Sequence, residues 1–105
     1  MTTNFYIEKA WGDSVDNATM DDIKIAIQET VKMDDEHGAF WVGNMDNEFV
    51  MEIHKDLKLF FTTNDNLEDQ LSTNITSWTE AERFYKLFLD NEYEKIETEL
   101  RTRKV

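Results

Sequence analysis

The two histidines, His37 and His54, are the side chains best suited to acid–base or metal chemistry near neutral pH. His37 lies in the run Asp-Asp-Glu-His-Gly, where carboxylates stand beside an imidazole. It lacks a second histidine at the i, i+4 spacing that places two ligands on one helix face. We therefore interpret His37 as part of a solvated helix end, and His54, beside Glu52, as a surface histidine.

A second pattern that could do chemistry is the acidic loop Asn64-Asp65-Asn66, followed by Glu68 and Asp69. It resembles part of a calcium loop, but it lacks the central glycine and the correctly spaced terminal glutamate of an EF-hand. The chain also has no glycine-rich phosphate loop, nucleophile elbow or dinucleotide-binding fingerprint. The sequence thus predicts no catalytic residue, no metal site and no cofactor, and the protein is not expected to be an enzyme.

Charge is the unusual feature of the composition. The 105 residues carry 23 acidic and 11 basic side chains, a formal net charge of −12, and residues 1–82 alone hold 18 acids against 5 bases. Such a field repels nucleic acid and anionic membranes, whereas it attracts a basic protein. Because cysteine, a signal-like N-terminus and a long apolar run are all missing, we expect a cytoplasmic protein with a single domain over residues 1–105.

The elements that would position these charges begin with a strand and a helix. Phe5, Tyr6 and Ile7 are apolar and aromatic, and they predict a strand over residues 4–10. Thr19 fits a helix N-cap, and Asp22 completes a variant of the capping box. An apolar stripe then recurs every four residues on a helix of three to four turns, at Ile23, Ile27 and Val31.

Between residues 39 and 77 the apolar period changes from 3.6 to 2, which predicts four antiparallel strands. The runs are 39–43, 48–54, 57–62 and 70–77. Alternation places Val50 and Phe60 on the solvent-facing side of the sheet, where they suggest a modest binding patch, unless the N-terminal strand or a loop covers them. Six other aromatic side chains are interpreted as core: Trp41, Phe49, Phe61, Trp78, Phe84 and Phe88.

The C-terminal segment returns to helical spacing. Thr79 and Glu82 fit a second capping box, and the apolar stripe continues to Leu100, with a kink or break suggested at Asp90-Asn91. The predicted order is β-α-β-β-β-β-α. This order predicts an α+β fold with an antiparallel four- to five-stranded meander sheet and two helices on one face.

A meander brings alternate turns to the same end of the sheet, so the 44–47 turn and the 64–69 loop are expected to be neighbours. They would form an acidic rim beside Val50 and Phe60, with apolar anchors and charges that steer a partner. The predicted partner-binding residues are Asp46, Glu48, Asp65, Glu68, Asp69, Phe60 and Val50.

The chain resembles the immunity proteins of bacterial polymorphic-toxin and contact-dependent growth inhibition systems, over most of its length. The likeness lies in the element order and in four runs: Gly38-Ala-Phe-Trp-Val-Gly43, Glu48-Phe-Val-Met-Glu-Ile53, Leu57 to Thr63, and Thr79-Glu-Ala-Glu-Arg-Phe. The resemblance implies an inhibitor that binds the C-terminal domain of a cognate toxin, often a basic nuclease. It implies that the inhibitor blocks the active site or substrate path of that toxin.

Three other functions stay open on the sequence. A phage-type nucleic-acid mimic that inhibits a host nuclease would need acids spaced like phosphates along a surface. A small-molecule binder or enzyme using His37 or His54 would need a deep apolar pocket. A structural subunit would pair its exposed strand face with another copy, as a homodimer.

Overall fold

The fold is built around one antiparallel sheet, described in a computed structural model over residues 4–45, 49–62 and 71–103. The strands are β1 (Phe5–Lys9), β2 (Ser14–Asp16), β3 (Ala39–Asn44), β4 (Val50–His54), β5 (Lys58–Thr62) and β6 (Leu71–Asn74). The helices are α1 (Met20–Lys32), α2 (Trp78–Leu89) and α3 (Tyr93–Arg103). The described strands lie in the order β2-β1-β3-β4-β5-β6. The α+β class and the meander of β3 to β6 are therefore as predicted.

The sheet has six described strands rather than four to five, because β2 forms a hairpin with β1. The amide of Lys9 donates to the carbonyl of Asp13 at 2.9 Å, and Gly12 adopts a φ of +106° in the turn. A positive φ is cheap for glycine because it has no Cβ. The strand Ser14–Asp16 has Val15 as its one apolar residue, so alternation could not reveal it.

The first helix begins where the sequence predicts. The Thr19 hydroxyl accepts from the amide of Asp22, and the Asp22 carboxylate accepts from the amide of Thr19 at 2.9 Å, which confirms the capping box. The predicted stripe was wrong at Val31, which is 45% exposed, whereas Thr30 is buried. Four-residue steps drift by about 40° each on a helix, so the third member of the stripe turns away from the core.

The C-terminal helix is two helices rather than one. The N-cap is Ser77, whose hydroxyl accepts from the amide of Glu80 at 3.2 Å, so the predicted capping box at Thr79 is wrong. The break falls at the suggested place: Asp90 caps α2, and Asn91 adopts a left-handed φ of 61°. The protein therefore has three helices, α1, α2 and α3, rather than the two predicted.

All three helices pack on the same face of the sheet. From α2, Phe88 contacts Phe5 and Phe61, and the Tyr85 hydroxyl donates to the carbonyl of Met51 at 3.1 Å. The α1 and α3 side chains buried in the same core are Ile23, Ala26, Ile27, Ile96 and Leu100. We call this side of the sheet the covered face. Its apolar strand residues are Phe5, Ile7, Phe40, Val42, Met51, Ile53, Leu59, Phe61 and Leu71.

The aromatic predictions divide into three groups. Phe61, Phe84 and Phe88 are buried as expected, and Phe49 and Trp78 are partly buried against the same core. The prediction of Trp41 as a core residue is wrong, because it lies half-buried on the opposite side of the sheet. The physical reason is the pleat: its buried neighbours Phe40 and Val42 face the helices, so the side chain between them must face away.

Candidate functional site

The opposite side of the sheet is the candidate functional site, and within the described ranges no helix crosses it. Its side chains come from alternate positions of the strands, as the pairing registers place them. We call this surface the open face. Its main residues are Tyr6, Glu8, Asp16, Trp41, Val50, Glu52, His54, Lys58, Phe60 and Thr62.

The central line of the open face alternates carboxylates and aromatic rings. Glu8 pairs with Trp41 across β1 and β3, Trp41 pairs with Glu52 across β3 and β4, and Glu52 pairs with Phe60 across β4 and β5. Directly opposed side chains in an antiparallel pair have Cβ atoms about 5 Å apart. The indole Nε1 of Trp41 donates to Oε2 of Glu8 at 2.9 Å, which holds the ring at one edge.

A second aromatic ring lies over the backbone of the sheet at Gly43. A Cβ at Gly43 would overlap the ring of Tyr6, which shows that this ring covers the glycine. Gly43 pairs with Tyr6 on one side and with Val50 on the other. The absence of a side chain at Gly43 therefore lets the Tyr6 ring extend across β3 toward β4.

His54 belongs to the open face and is held by two neighbours. Its Nε2 contacts a carboxylate oxygen of Glu52, and its ring meets Phe60 edge-on with centroids 5.3 Å apart. The side chains of His54 and Glu52 are 41% and 35% exposed. The imidazole thus orders the Glu52 carboxylate beside the aromatic line, and its surface position is as predicted.

A small open depression adjoins His54, but its lining is charged rather than apolar. It is formed with Asp35, Gly38, Lys55 and Asp56. It therefore lacks the apolar lining that a small-molecule site usually has.

His37 lies apart from this line, in an exposed turn after α1. Its amide donates to Oδ1 of Asp34 at 2.8 Å, and its Nδ1 lies 3.0 Å from the same oxygen. The hydrogen bond from the His37 amide lowers the pKa of the Asp34 carboxyl below its usual value, because it stabilises the ionised form. His37 is therefore a local turn partner, as the interpretation of a solvated helix end requires.

The charges of the open face are mainly negative. Glu8, Asp16 and Glu52 lie on it, whereas its one described lysine is Lys58, at a corner of the sheet. The nearby Lys9 points to the covered face, where it is buried and pairs with Glu29 of α1 at 2.5 Å. Alternation along β1 thus places Glu8 on the open face and Lys9 on the covered face.

Two of the seven predicted site residues lie where alternation predicts. Val50 and Phe60 are half-buried on the open face, on the consecutive and directly paired strands β4 and β5. The strand order also brings the ends of β3 and β5 and the starts of β4 and β6 to one end of the sheet. The other five predicted residues lie outside the described residues: Asp46, Glu48, Asp65, Glu68 and Asp69.

Sequence reasoning missed Tyr6, Glu8 and Trp41 as site residues. A signal existed in β1: if Phe5 and Ile7 face the core, then Tyr6 and Glu8 must face away from it. For Trp41 the signal was ambiguous, because residues 39–43 of its strand are all apolar or small and show no alternation between apolar and polar side chains.

Comparison with known proteins adds no assignment. No family model matches the chain, and no curated protein or solved structure matches it either. Among the described residues, no helix is long and apolar enough to cross a membrane, and no group of three or more potential ligands could hold a metal ion. Function is therefore inferred from the chemistry of the open face.

Proposed function

We propose that this protein is a bacterial immunity protein, which binds a basic toxin domain in the cytoplasm and neutralises it. The open face is the contact surface, and it covers the toxin's active site or the path of its substrate. The observation that carries the proposal is the line of rings and carboxylates on the open face, formed by Glu8, Trp41, Glu52 and Phe60.

The aromatic rings supply the anchors that such an interface needs. Trp and Tyr are enriched among the side chains that dominate binding energies, because they bury a large rigid area at a small entropic cost. Trp41, Phe60 and Tyr6 are each half-buried, so each has ring surface left to bury against a partner.

The charge supports a basic partner. A net charge of −12 raises the rate of encounter with a positive surface and repels nucleic acid. Carboxylates that occupy a cleft shaped for phosphate compete directly with a nucleic-acid substrate. This is how an acidic inhibitor would silence a nuclease without chemistry of its own.

The test is co-expression with the product of the gene immediately upstream, which we expect to encode the toxin domain. We expect the two proteins to co-purify, and we expect cells that express the toxin to grow only when this protein is present. If the neighbouring gene encodes no toxic product, and no basic protein co-purifies with the chain, the proposal is wrong.

A charge-reversal series locates the contact. Lysine at Glu8 and Glu52 should slow association with the toxin by about tenfold or more at low salt and weaken its salt dependence. The predicted rim is tested by the same change at Asp46, Asp65 and Asp69. The matched control is lysine at Glu94 and Glu97, which lie on α3, behind the covered face. If the control slows association as much as the open-face variant, the interface lies elsewhere.

A further inference from the structure

Trp41 occupies a distinctive position on the open face. It stands between two carboxylates, with Glu8 opposite it on β1 and Glu52 opposite it on β4. Its indole nitrogen is already engaged by Glu8 at 2.9 Å, which restricts the rotation of the ring. Glu52 is restrained in turn by His54. The result is an oriented aromatic ring with a fixed negative charge on each side.

This arrangement matches the chemistry of a guanidinium group. An arginine side chain stacks its planar head on an aromatic ring and donates hydrogen bonds in the plane of that head to carboxylates. A lysine ammonium is a compact point charge that attracts carboxylates but lacks the planar stacking surface. The arrangement of Trp41 between Glu8 and Glu52 therefore favours arginine over lysine.

We propose that Trp41, between Glu8 and Glu52, is the seat for an arginine side chain of the protein partner. The proposal rests on the proposed function, in which that partner is a basic toxin domain, and it names the side chain that the open face recognises. Phe60 and His54 close the seat on the β5 side, because Phe60 pairs with Glu52 and contacts the imidazole.

Charge decides which occupant the open face takes. A second copy would place this mainly acidic face, with Glu8, Asp16 and Glu52, against an identical acidic face, and like charges opposed across an interface are costly. A cationic side chain neutralises them instead. A homodimer is an outcome of the test: if light scattering shows a dimer that Trp41→Ala dissociates, a second copy covers the seat and the proposal is overturned.

The first experiment measures binding of the full chain to the toxin domain. Trp41→Ala should weaken the complex by about 30-fold or more, the loss expected at an interface hot spot. Trp41→Phe should recover part of that loss, because it keeps a ring but loses the indole N–H. Trp78→Phe is the matched control, since Trp78 packs against the core on the covered face.

A second variant keeps the measurement meaningful if Trp41→Ala unfolds the protein. Glu8→Gln with Glu52→Gln preserves the shape of both side chains and removes both charges, so we expect about a tenfold loss or more. Circular dichroism establishes that each variant is folded. Wild-type affinity in a folded Trp41→Ala protein, or in the double glutamine variant, overturns the proposal.

The second experiment does not depend on the toxin. In the Trp11→Phe, Trp78→Phe protein, Trp41 is the one remaining tryptophan, so its fluorescence reports on the seat. Hexa-arginine should change this emission and should bind at least about threefold more tightly than hexa-lysine at 0.15 M salt, where general attraction is screened. Adding Glu8→Gln and Glu52→Gln should abolish the preference. Equal binding of the two peptides, or unchanged emission, overturns the proposal.

The two experiments separate the two ideas. If the toxin fails to bind but hexa-arginine is preferred, the proposed function is wrong and the arginine seat stands. If the toxin binds and neither Trp41 nor the carboxylates matter, the function stands and the seat is wrong.

Discussion

Phe60 and Phe61 are adjacent in the chain and lie on opposite faces of the same strand. Phe61 is 1% exposed and packs among Phe49, Phe88 and Tyr93. Phe60 is half-buried and meets His54 edge-on. A phenylalanine side chain therefore stabilises the fold at position 61, whereas at position 60 it remains available to a partner.

The polar groups of the two faces differ in the same way. Near the covered face, the amide nitrogen of Asn44 donates to the Tyr93 hydroxyl at 2.7 Å, and that hydroxyl donates to Asn91 at 2.9 Å. This chain of bonds fixes the start of α3 on the sheet. On the open face, polar atoms instead hold side chains that still contact solvent, as Glu8 holds Trp41. Side-chain hydrogen bonds stabilise the fold near the covered face, whereas on the open face they orient side chains that a partner could contact.

The strongest test of this difference is truncation of the two phenylalanines. Phe61→Ala should lower the free energy of unfolding by about 3–5 kcal/mol, because it removes a buried ring and leaves a cavity. Urea unfolding followed by circular dichroism measures the loss.

Phe60→Ala is the matched control. It should cost less than about 1 kcal/mol of stability, since the ring is partly solvated, and it should weaken toxin binding. A loss of stability as large as that of Phe61→Ala would mean that the open face is structural, and the distinction between the faces would fail.

How clearly a strand alternates between buried and exposed residues determined what could be predicted from the sequence. Strands β4 and β5 alternate between fully buried and partly exposed residues, so Val50 and Phe60 were placed correctly on the open face. Strand β3 shows no such contrast: all but Trp41 of its six residues are buried. Ala39 and Gly43 are buried for lack of size rather than by facing the core. A single-strand pattern therefore could not place Trp41.

Other features depend on partners far away in the chain. The strand Ser14–Asp16 exists because β1 offers a hydrogen-bonding edge, not because its own residues favour a strand. Both Ser77 and Thr79 have a glutamate three residues later, so both fit an N-cap, and packing of Trp78 against the core favours the earlier start. Local rules offer these choices, and tertiary contacts select among them.

A smaller effect is expected at Gly43, on the open face. Gly43→Ala places a methyl group where the Tyr6 ring lies, so the ring must move and the protein should lose about 1–3 kcal/mol of stability. Tyr6→Ala in the same chain removes the clash. The double variant should then be more stable than the sum of the two single changes predicts, by about 1 kcal/mol. Additive losses in urea unfolding would show that the ring does not depend on the glycine.

A similarly small effect on stability at neutral pH is expected at Tyr85, which reaches the backbone of β4 from the covered side. Tyr85→Phe removes the hydrogen bond to the Met51 carbonyl and should cost about 1 kcal/mol. At alkaline pH we expect the variant to become more stable than the wild type. Burial raises the pKa of the Tyr85 phenol well above 10.0, and the negative charge of Glu52 adds to the rise.

The sign follows from proton binding. Below about pH 10 both the folded and the unfolded protein hold the phenol proton, so Tyr85 contributes no pH dependence. Above that pH the unfolded chain loses the proton while the folded protein keeps it. The free energy of unfolding should then fall by up to about 1.4 kcal/mol per pH unit until the raised pKa is reached.

Tyr85→Phe lacks this titration, so its stability should exceed that of the wild type roughly one pH unit above 10. Urea unfolding between about pH 7 and pH 11 measures both curves, and curves that stay parallel would contradict the argument. Glu52→Gln sharpens it, because it removes the charge on the open face and leaves the burial intact. Since burial is the larger cause, this variant should keep most of the alkaline loss. The small difference in alkaline stability loss between the wild type and Glu52→Gln would then measure the electrostatic effect of the Glu52 charge on the Tyr85 phenol.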